Sequence, residues 1–414
     1  MRLEKKQSSA LYGAMLFMMV YFSHDTLMFG TNESAIAITI RKVVPFFVVA
    51  VLLGYGRIRF QSKKQLYGIA LFIILPMLSC VLNGEDFPNY IYRAVVVFAT
   101  VCLLFGENGK LFCNKFNKII YFLSIWSFFT FAIGNLFPAL LEVFPKVTNI
   151  GDNQYYFVLF SVVPTKVGGY GLFRNMSLFR EPGVLAVFLI IALVFELFKN
   201  DSPRFKYMLV YTIALITTFS TAGYIILAAI YLYVLINKKV KHRFAYGFLL
   251  LTGVLCILLF TDMLSAEGAL LGKFNGTGNT GSWLSRLYSV FGNLQLAGQS
   301  PLWGVGRYHL YGSVFETISP IHKVVDNTNT VLINFAAYGI PYGLINFWGI
   351  WKFTKRTNCR RAGGILVLLV LLLALSNEDM GQNIIYYALV FLGLYGGTQL
   401  FDAEPRRTRI KIRW

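Results

Sequence analysis

The chain has 414 residues, 56% of them hydrophobic and only 14% charged, with a mean hydropathy of +0.60. A soluble domain has no use for that much apolar side chain, and the apolar residues run in blocks of roughly 15 to 22, the length that crosses a bilayer core of about 30 Å. The formal net charge of +19, from 38 Lys and Arg against 19 Asp and Glu, would suit nucleic acid. No basic stretch carries interleaved aromatic residues or a groove-reading motif, however, so no nucleic-acid partner is expected.

Taken in chain order, the blocks predict an all-α, polytopic integral membrane protein, a single membrane domain over residues 1–414. The spans fall near 9–29, 35–55, 66–82, 88–105, 117–138, 183–198, 206–219, 222–237, 244–262, 329–351, 363–376 and 381–400, about twelve in all. Every second connection is basic, from Arg2, Lys5 and Lys6 at the amino terminus to Arg406, Arg407, Arg409, Lys411 and Arg413 in the tail. These connections hold 27 of the 38 cations, and the positive-inside rule makes that side, with both termini, cytoplasmic. The opening MRLEKKQSSA precedes a block too long for a signal peptide and without a small-residue cleavage site, so it is read as the start of the first helix. Cys80, Cys102 and Cys256 fall within spans and Cys113 and Cys359 in cytoplasmic loops, so neither a disulfide nor a thiolate metal site is expected.

Two outward connections are long, residues 139–182 and 263–328. Long loops without helical periodicity carry function more often than short ones do. The first is rich in aromatic residues, with YYFVLF at 155–160 and then GGYGLFRNMSLFREPG. The second opens on LGKFNGTGNTGS, a glycine-rich run without the Lys-Ser/Thr ending of a phosphate loop, and reads as a hinge.

Four runs, in this order, resemble the bacterial O-antigen polymerase and ligase family. GLFRNMSLFREPGVLAVFLIIAL is similar to the family's Arg, Phe, Glu-Pro, Leu-Ala segment at the mouth of a membrane helix. TTFSTAGYIILAA at 217–229 is similar to its short Ser-Gly turn. SWLSRLYSVFGNLQLAGQSPLWGVGRYHLYG resembles its second large outward loop, and NTNTVLINFAAYGIPYGLINF its His-Asn stretch and Gly-Ile-Pro bend. Asn329 then takes the family's Asn, but Thr328 stands where ligases carry a His that serves as a base, and Ala337 replaces a glutamate. The departure favours a Wzy-type polymerase. The resemblance implies an architecture like that of the GT-C glycosyltransferases in a bacterial cytoplasmic (inner) membrane. The activity implied is transfer of a growing glycan from undecaprenyl diphosphate to the non-reducing-end sugar of a fresh lipid-linked repeat unit. A flippase and a chain-length regulator are the implied protein partners. The alternatives are an O-antigen ligase, with the same donor and a lipid A core acceptor, and a lipid-linked oligosaccharide flippase, although no repeat relates the two halves of the chain.

A diphosphate leaving group calls for arginine, which stays charged and donates paired hydrogen bonds to phosphate oxygens. Eleven cations lie outside the cytoplasmic connections. Three of them, Arg41, Lys42 and Arg93, fall within spans roughly 8 to 11 Å below the outer surface. His24 and Asp25 reach the same depth. Ionisable groups inside a membrane usually face a partner or a wet cavity, so these five predict an outward-facing polar chamber that binds the lipid-linked substrate. Snorkelling and an Asp25 ion pair are the structural alternatives. Arg180 and Glu181, beside Pro182, and Arg286 in the second loop are the catalytic candidates, with the two arginines converging on the diphosphate. Arg174 and Arg307 are further substrate-binding candidates, with loop packing as their alternative role. His322, Asp326 and Glu181 are the candidate bases. The outward loops hold Glu85-Asp86 and Glu378-Asp379 but no Asp-x-Asp and no His pair at ligand spacing, so neither a metal nor another cofactor is called for.

Overall fold

A computed structural model describes residues 2–32, 34–54, 63–106, 109–167, 171–199, 203–237, 245, 247–254, 281–311, 327–356 and 361–395. The fold is mostly helical. The elements in chain order are α1 Arg2–Tyr21, α2 Leu27–Gly30, α3 Ala35–Gly54, α4 Lys63–Leu82, α5 Phe87–Gly106 and α6 Gly109–Leu136. Strands β1 Lys146–Thr148, β2 Gln154–Val158 and β3 Ser161–Pro164 follow. Then come α7 Pro182–Lys199, α8 Phe205–Thr217, α9 Thr221–Asn237, α10 Gly281–Gln299, α11 Thr330–Tyr338, α12 Ile340–Lys355, α13 Arg361–Leu375 and α14 Ile384–Tyr395. Residues 247–254 are also helical.

Four of these, α3 to α6, are long and apolar enough to cross a membrane. On α3 the side chains of Ile36, Val43, Phe46, Phe47 and Leu53 stand exposed while Val44, Val48 and Leu52 are buried. An outward apolar face of that kind is stable against lipid rather than water. Helices α7 and α14 are apolar around their whole circumference, and nearly every residue of Val184–Leu197 and Ile384–Leu392 is buried. Such helices belong at the centre of a bundle. The one acidic residue inside α7, Glu196, is fully buried. It is held by Arg204 through Nε at 2.9 Å and Nη2 at 2.6 Å, and by Asn117 Nδ2 at 3.0 Å.

The structure corrects the sequence reading in four places. The fold is not all-α: β1, β2 and β3 form an antiparallel three-stranded meander. In it the alternate residues Tyr156 and Val158 turn inward with Val163 and Phe173, which is the period-2 pattern of a half-buried strand. The block 9–29 is not one helix, because α1 ends at Tyr21 and His24 and Asp25 lie in the turn before α2. The connection expected at 263–328 contains α10, whose buried Ser289, Asn293, Leu296 and Ala297 recur at helical spacing. Finally, the block 329–351 is divided at Gly339 into α11 and α12.

The bend at Gly339 is built by two of the motif runs together. Pro301 accepts from Ile340 N at 2.7 Å, while Val305 N and Gly306 N donate to Ala336 O and Ala337 O at 2.9 and 3.1 Å. Gly339 has φ +88°, and a Cβ there would lie 2.2 Å from Leu302 O. A side chain would thus meet both an unfavourable dihedral and rigid backbone. Gly339→Ala is expected to lower stability by about 1–3 kcal/mol, read as a lower melting temperature of the purified protein in detergent. An unchanged melting temperature would show that the PLWGVG turn is not held against this bend.

Candidate functional site

The first motif run is fixed by its backbone before its side chains act. Leu27 N donates to Leu178 O at 3.0 Å, Arg180 N donates to Asp25 O at 2.9 Å, and Thr26 and Phe179 form an antiparallel bridge. The residues before α7 therefore lie alongside the turn between α1 and α2, and Arg180 is held at the end of that pairing. Pro182 then starts α7, at a position where a helix needs no N–H.

Arg180 is mostly buried and surrounded by acceptors. Its Nε lies 3.7 Å from Asp25 Oδ1 and its Nη2 3.6 Å from Glu378 Oε2, and Nη2 also donates to Asp379 O at 3.2 Å. Burial opposes its charge, but Glu378, Asp25, Glu181 and Asp379 together hold its pKa above the ordinary value. Asp25 in turn accepts a short hydrogen bond from Asn383 Nδ2. Thr330 anchors the same connection: its hydroxyl donates to Glu378 O and accepts from Met380 N. A Cβ on Gly183 would lie 2.0 Å from Glu378 Oε1, so the first turn of α7 has room for that carboxyl only because residue 183 is glycine.

Beside this cluster, at one end of the bundle, is a cavity of about 410 Å³. Its wall includes His24, Arg41 and Lys42, Tyr90 to Arg93 excepting Ile91, Arg180 and Glu181, Arg307 and Tyr308, Asn327 and Thr328, Tyr338, and Glu378, Asp379 and Gln382. Residues from eight separate stretches of sequence thus meet around one space.

The cations in that wall are of two kinds. Arg180 and Arg307 are paired with acids, Arg307 through a short contact from Nη2 to Asp379 Oδ2. Arg41, Lys42 and Arg93 form no ion pair among the described residues, and they come from α3 and α5, which pack against each other. Arg93, 2% exposed, donates through Nη2 to Asn334 Oδ1 at 3.1 Å and Tyr342 OH at 2.9 Å. Its guanidinium carbon sits 4.0 Å from the centroid of Tyr338, a cation–π contact that holds the charge without neutralising it. Arg93 Nε and Nη1 and Arg41 Nε, like Arg180 Nε on the same wall, have no hydrogen-bond partner among the described residues. Buried donors left open in this way are uncommon in folded proteins and suit an anion.

The other candidates are distributed as follows. Glu181 lies on the cavity wall and is exposed. Arg286 is on α10 rather than in an open loop, and does not line the cavity, but its charge reaches Glu378. Arg174 is a backbone clamp. Its Nε donates to Thr218 O at 2.9 Å and its Nη2 to Phe219 O at 3.3 Å, across a turn where Phe219 has φ +51°. Asn175 ties the same two motif runs together, its Nδ2 donating to Thr217 Oγ1 at 2.9 Å. Asn329 caps α11, its side chain accepting from Leu332 N at 3.0 Å, while its neighbours Asn327 and Thr328 reach the cavity. His322 and Asp326 lie outside the described residues. Sequence reasoning noted Glu378 and Asp379 only as an unpaired metal motif, although their place beside a membrane helix end was a usable signal. Tyr90, Tyr92 and Tyr338 gave none, being three tyrosines among 24.

Glu378 is 5% exposed. Burial pushes its carboxyl up to about 8, with Glu181 and Asp25 adding to the rise and Arg180 and Arg286 opposing it. Among the described residues no group of three or more His, Cys, Asp or Glu has the arrangement of a metal site.

No family model, curated protein or solved structure matches the chain.

Arg180→Gln would leave Asp25 and Glu378 buried beside each other without their shared cation. Removing one partner of a buried pair costs roughly 3–5 kcal/mol. Purified Arg180→Gln is therefore expected to melt well below the wild-type protein, whereas a mobile surface arginine would leave the melting temperature unchanged.

Proposed function

We propose that this protein is a surface-polysaccharide polymerase of the O-antigen polymerase type. It would transfer a growing glycan from undecaprenyl diphosphate to the non-reducing-end sugar of a lipid-linked repeat unit, on the outer face of a bacterial cytoplasmic membrane. The observation that carries this reading is the unneutralised wall of Arg41, Lys42 and Arg93. A diphosphate bound there would sit in the field of these three cations, which would stabilise the charge that develops on the leaving oxygen. The same cavity wall carries the carboxyls of Glu181, Glu378 and Asp379, which suits a sugar hydroxyl that must lose a proton. Thr328 is part of the cavity wall, and its hydroxyl cannot serve as a base near neutral pH, which supports a polymerase over a ligase. In this reading the chain crosses the membrane about twelve times with both termini cytoplasmic, and it works with a flippase and a chain-length regulator.

The lipid-linked sugars of cells lacking the protein discriminate the activities. Single repeat units capped on the cell surface are the expected result. Outward-facing uncapped polymer would mean a ligase, and units trapped in the inner leaflet would mean a flippase. In reconstituted membranes, Arg93→Gln should weaken use of the lipid-linked donor by roughly 10- to 150-fold, the worth of one charge-assisted hydrogen bond. Arg93→Lys should restore only part of that, because the charge returns without the fork.

The orientation has its own test. Asn153 and Lys355 are both exposed and fall on opposite sides in this topology. In intact cells an impermeant thiol reagent should label Asn153→Cys and spare Lys355→Cys. The reverse pattern would turn the cavity toward the cytoplasm and end the proposal.

A further inference from the structure

A glycosyl transfer needs a group that takes the proton of the attacking hydroxyl, and among the described residues three carboxyls line the cavity: Glu181, Glu378 and Asp379. Asp379 has both oxygens committed, Oδ2 to Arg307 and Oδ1 to Gly381 N at 3.1 Å. Glu181 is exposed to solvent, where a carboxylate is a weak base. Glu378 differs from both. Its backbone is fixed by the Thr330 hydroxyl, its side chain is lodged over Gly183, and Arg180 stands 3.6 Å from Oε2. Neither of its carboxyl oxygens accepts a hydrogen bond among the described residues, so both keep lone pairs available.

The geometry points to Glu378 as the catalytic base of this cavity, with Arg180 as the positioning residue that holds its carboxylate toward the acceptor sugar. The inference rests on the polymerase reading given above. In the step, the acceptor hydroxyl oxygen forms a bond to the anomeric carbon of the donor glycan. The bond from that carbon to the diphosphate oxygen breaks, and its electron pair leaves with undecaprenyl diphosphate. The hydroxyl proton passes to Glu378 and from there to water in the cavity.

The pH dependence follows from what faces the carboxyl. Arg180, Asp25 and Asp379 surround it directly, Glu181 faces it from the start of α7, Arg286 from α10, and Arg307 and His24 lie beyond Asp379. A base must be deprotonated, so the rate should rise with pH through a midpoint near 8, where Glu378 is half ionised. Removing a neighbouring negative charge makes Glu378 easier to ionise. Glu181→Gln, an exposed change that leaves the buried pairs intact, should therefore move the rising limb to lower pH.

The test uses the full chain in liposomes with purified lipid-linked repeat units, with polymer length and rate measured from pH 5.5 to 9. Wild type should polymerise with a rising limb centred near pH 8. Glu378→Gln should be slower by about 100-fold or more throughout, and Glu181→Gln should shift the limb downward by a measurable fraction of a pH unit. Two results would overturn the assignment: Glu378→Gln polymerising at near wild-type rate, or Glu181→Gln leaving the limb where it was. The second readout stands even if Glu378→Gln fails to fold. Wild type that makes no polymer at any pH overturns the polymerase reading itself, a result separable from a wild type that polymerises without needing Glu378.

Discussion

A guanidinium buried among helices must be surrounded by anions or be lost from the fold, and Arg180 meets that requirement by gathering three distant parts of the chain. Asp25 comes from the turn after α1, and Glu378 and the Asp379 carbonyl from the connection between α13 and α14. The acids depend on the cation as much as it depends on them, since two buried carboxylates near each other repel. Much of the local sequence follows from this one contact. The chain before α7 must run beside the α1–α2 turn to deliver Arg180, Gly183 must be small, and Asn383 must be polar to satisfy Asp25.

Around that contact the backbone supplies the rigidity. The PLWGVG turn is hydrogen-bonded to the bend between α11 and α12, and Glu85 accepts from the successive amides of Arg307, Tyr308 and His309 at 2.9, 2.7 and 3.1 Å. That carboxylate sets the direction in which Arg307 leaves the backbone toward Asp379. The Arg174 clamp and the Asn175 side chain do the same for the turn at 217–220. Side chains with the chemistry of binding groups therefore act in two ways here, some holding loops and others left facing the cavity.

The cavity's cations differ in their pairing, and the difference has an electrostatic consequence. Paired Arg180 and Arg307 present little net field to a ligand, because nearby carboxylates cancel them in a medium of low dielectric. Arg41, Lys42 and Arg93 are not cancelled in this way, so the field they produce is available to an incoming anion. The expectation that Arg180 and Arg286 would form the phosphate clamp assigned the role by residue type. The structure gives Arg180 two carboxyl partners of its own, Asp25 and Glu378, and in the functional reading offered here the role passes to the α3–α5 wall.

Membrane character was legible in the sequence because hydropathy is a local property of each block, and the long helices α3 to α6 appear where their apolar runs lie. Of the five ionisable residues expected around one polar chamber, His24, Arg41, Lys42 and Arg93 line one cavity, while Asp25 is turned to Arg180 and Asn383. The breaks at Tyr21 and Gly339 had local signals, the polar run Ser23 to Thr26 and the Gly339-Ile340-Pro341 bend, but where each helix ends depends on contacts with chain far away. The meander at 146–164 was hidden by its brevity. Which arginine is neutralised, which clamps a backbone turn and which is left open could not be read from sequence, because each role is set by acids and carbonyls brought from remote positions. Arg174, Arg180 and Arg93 are chemically the same residue, and only tertiary structure decides what stands within reach of each guanidinium.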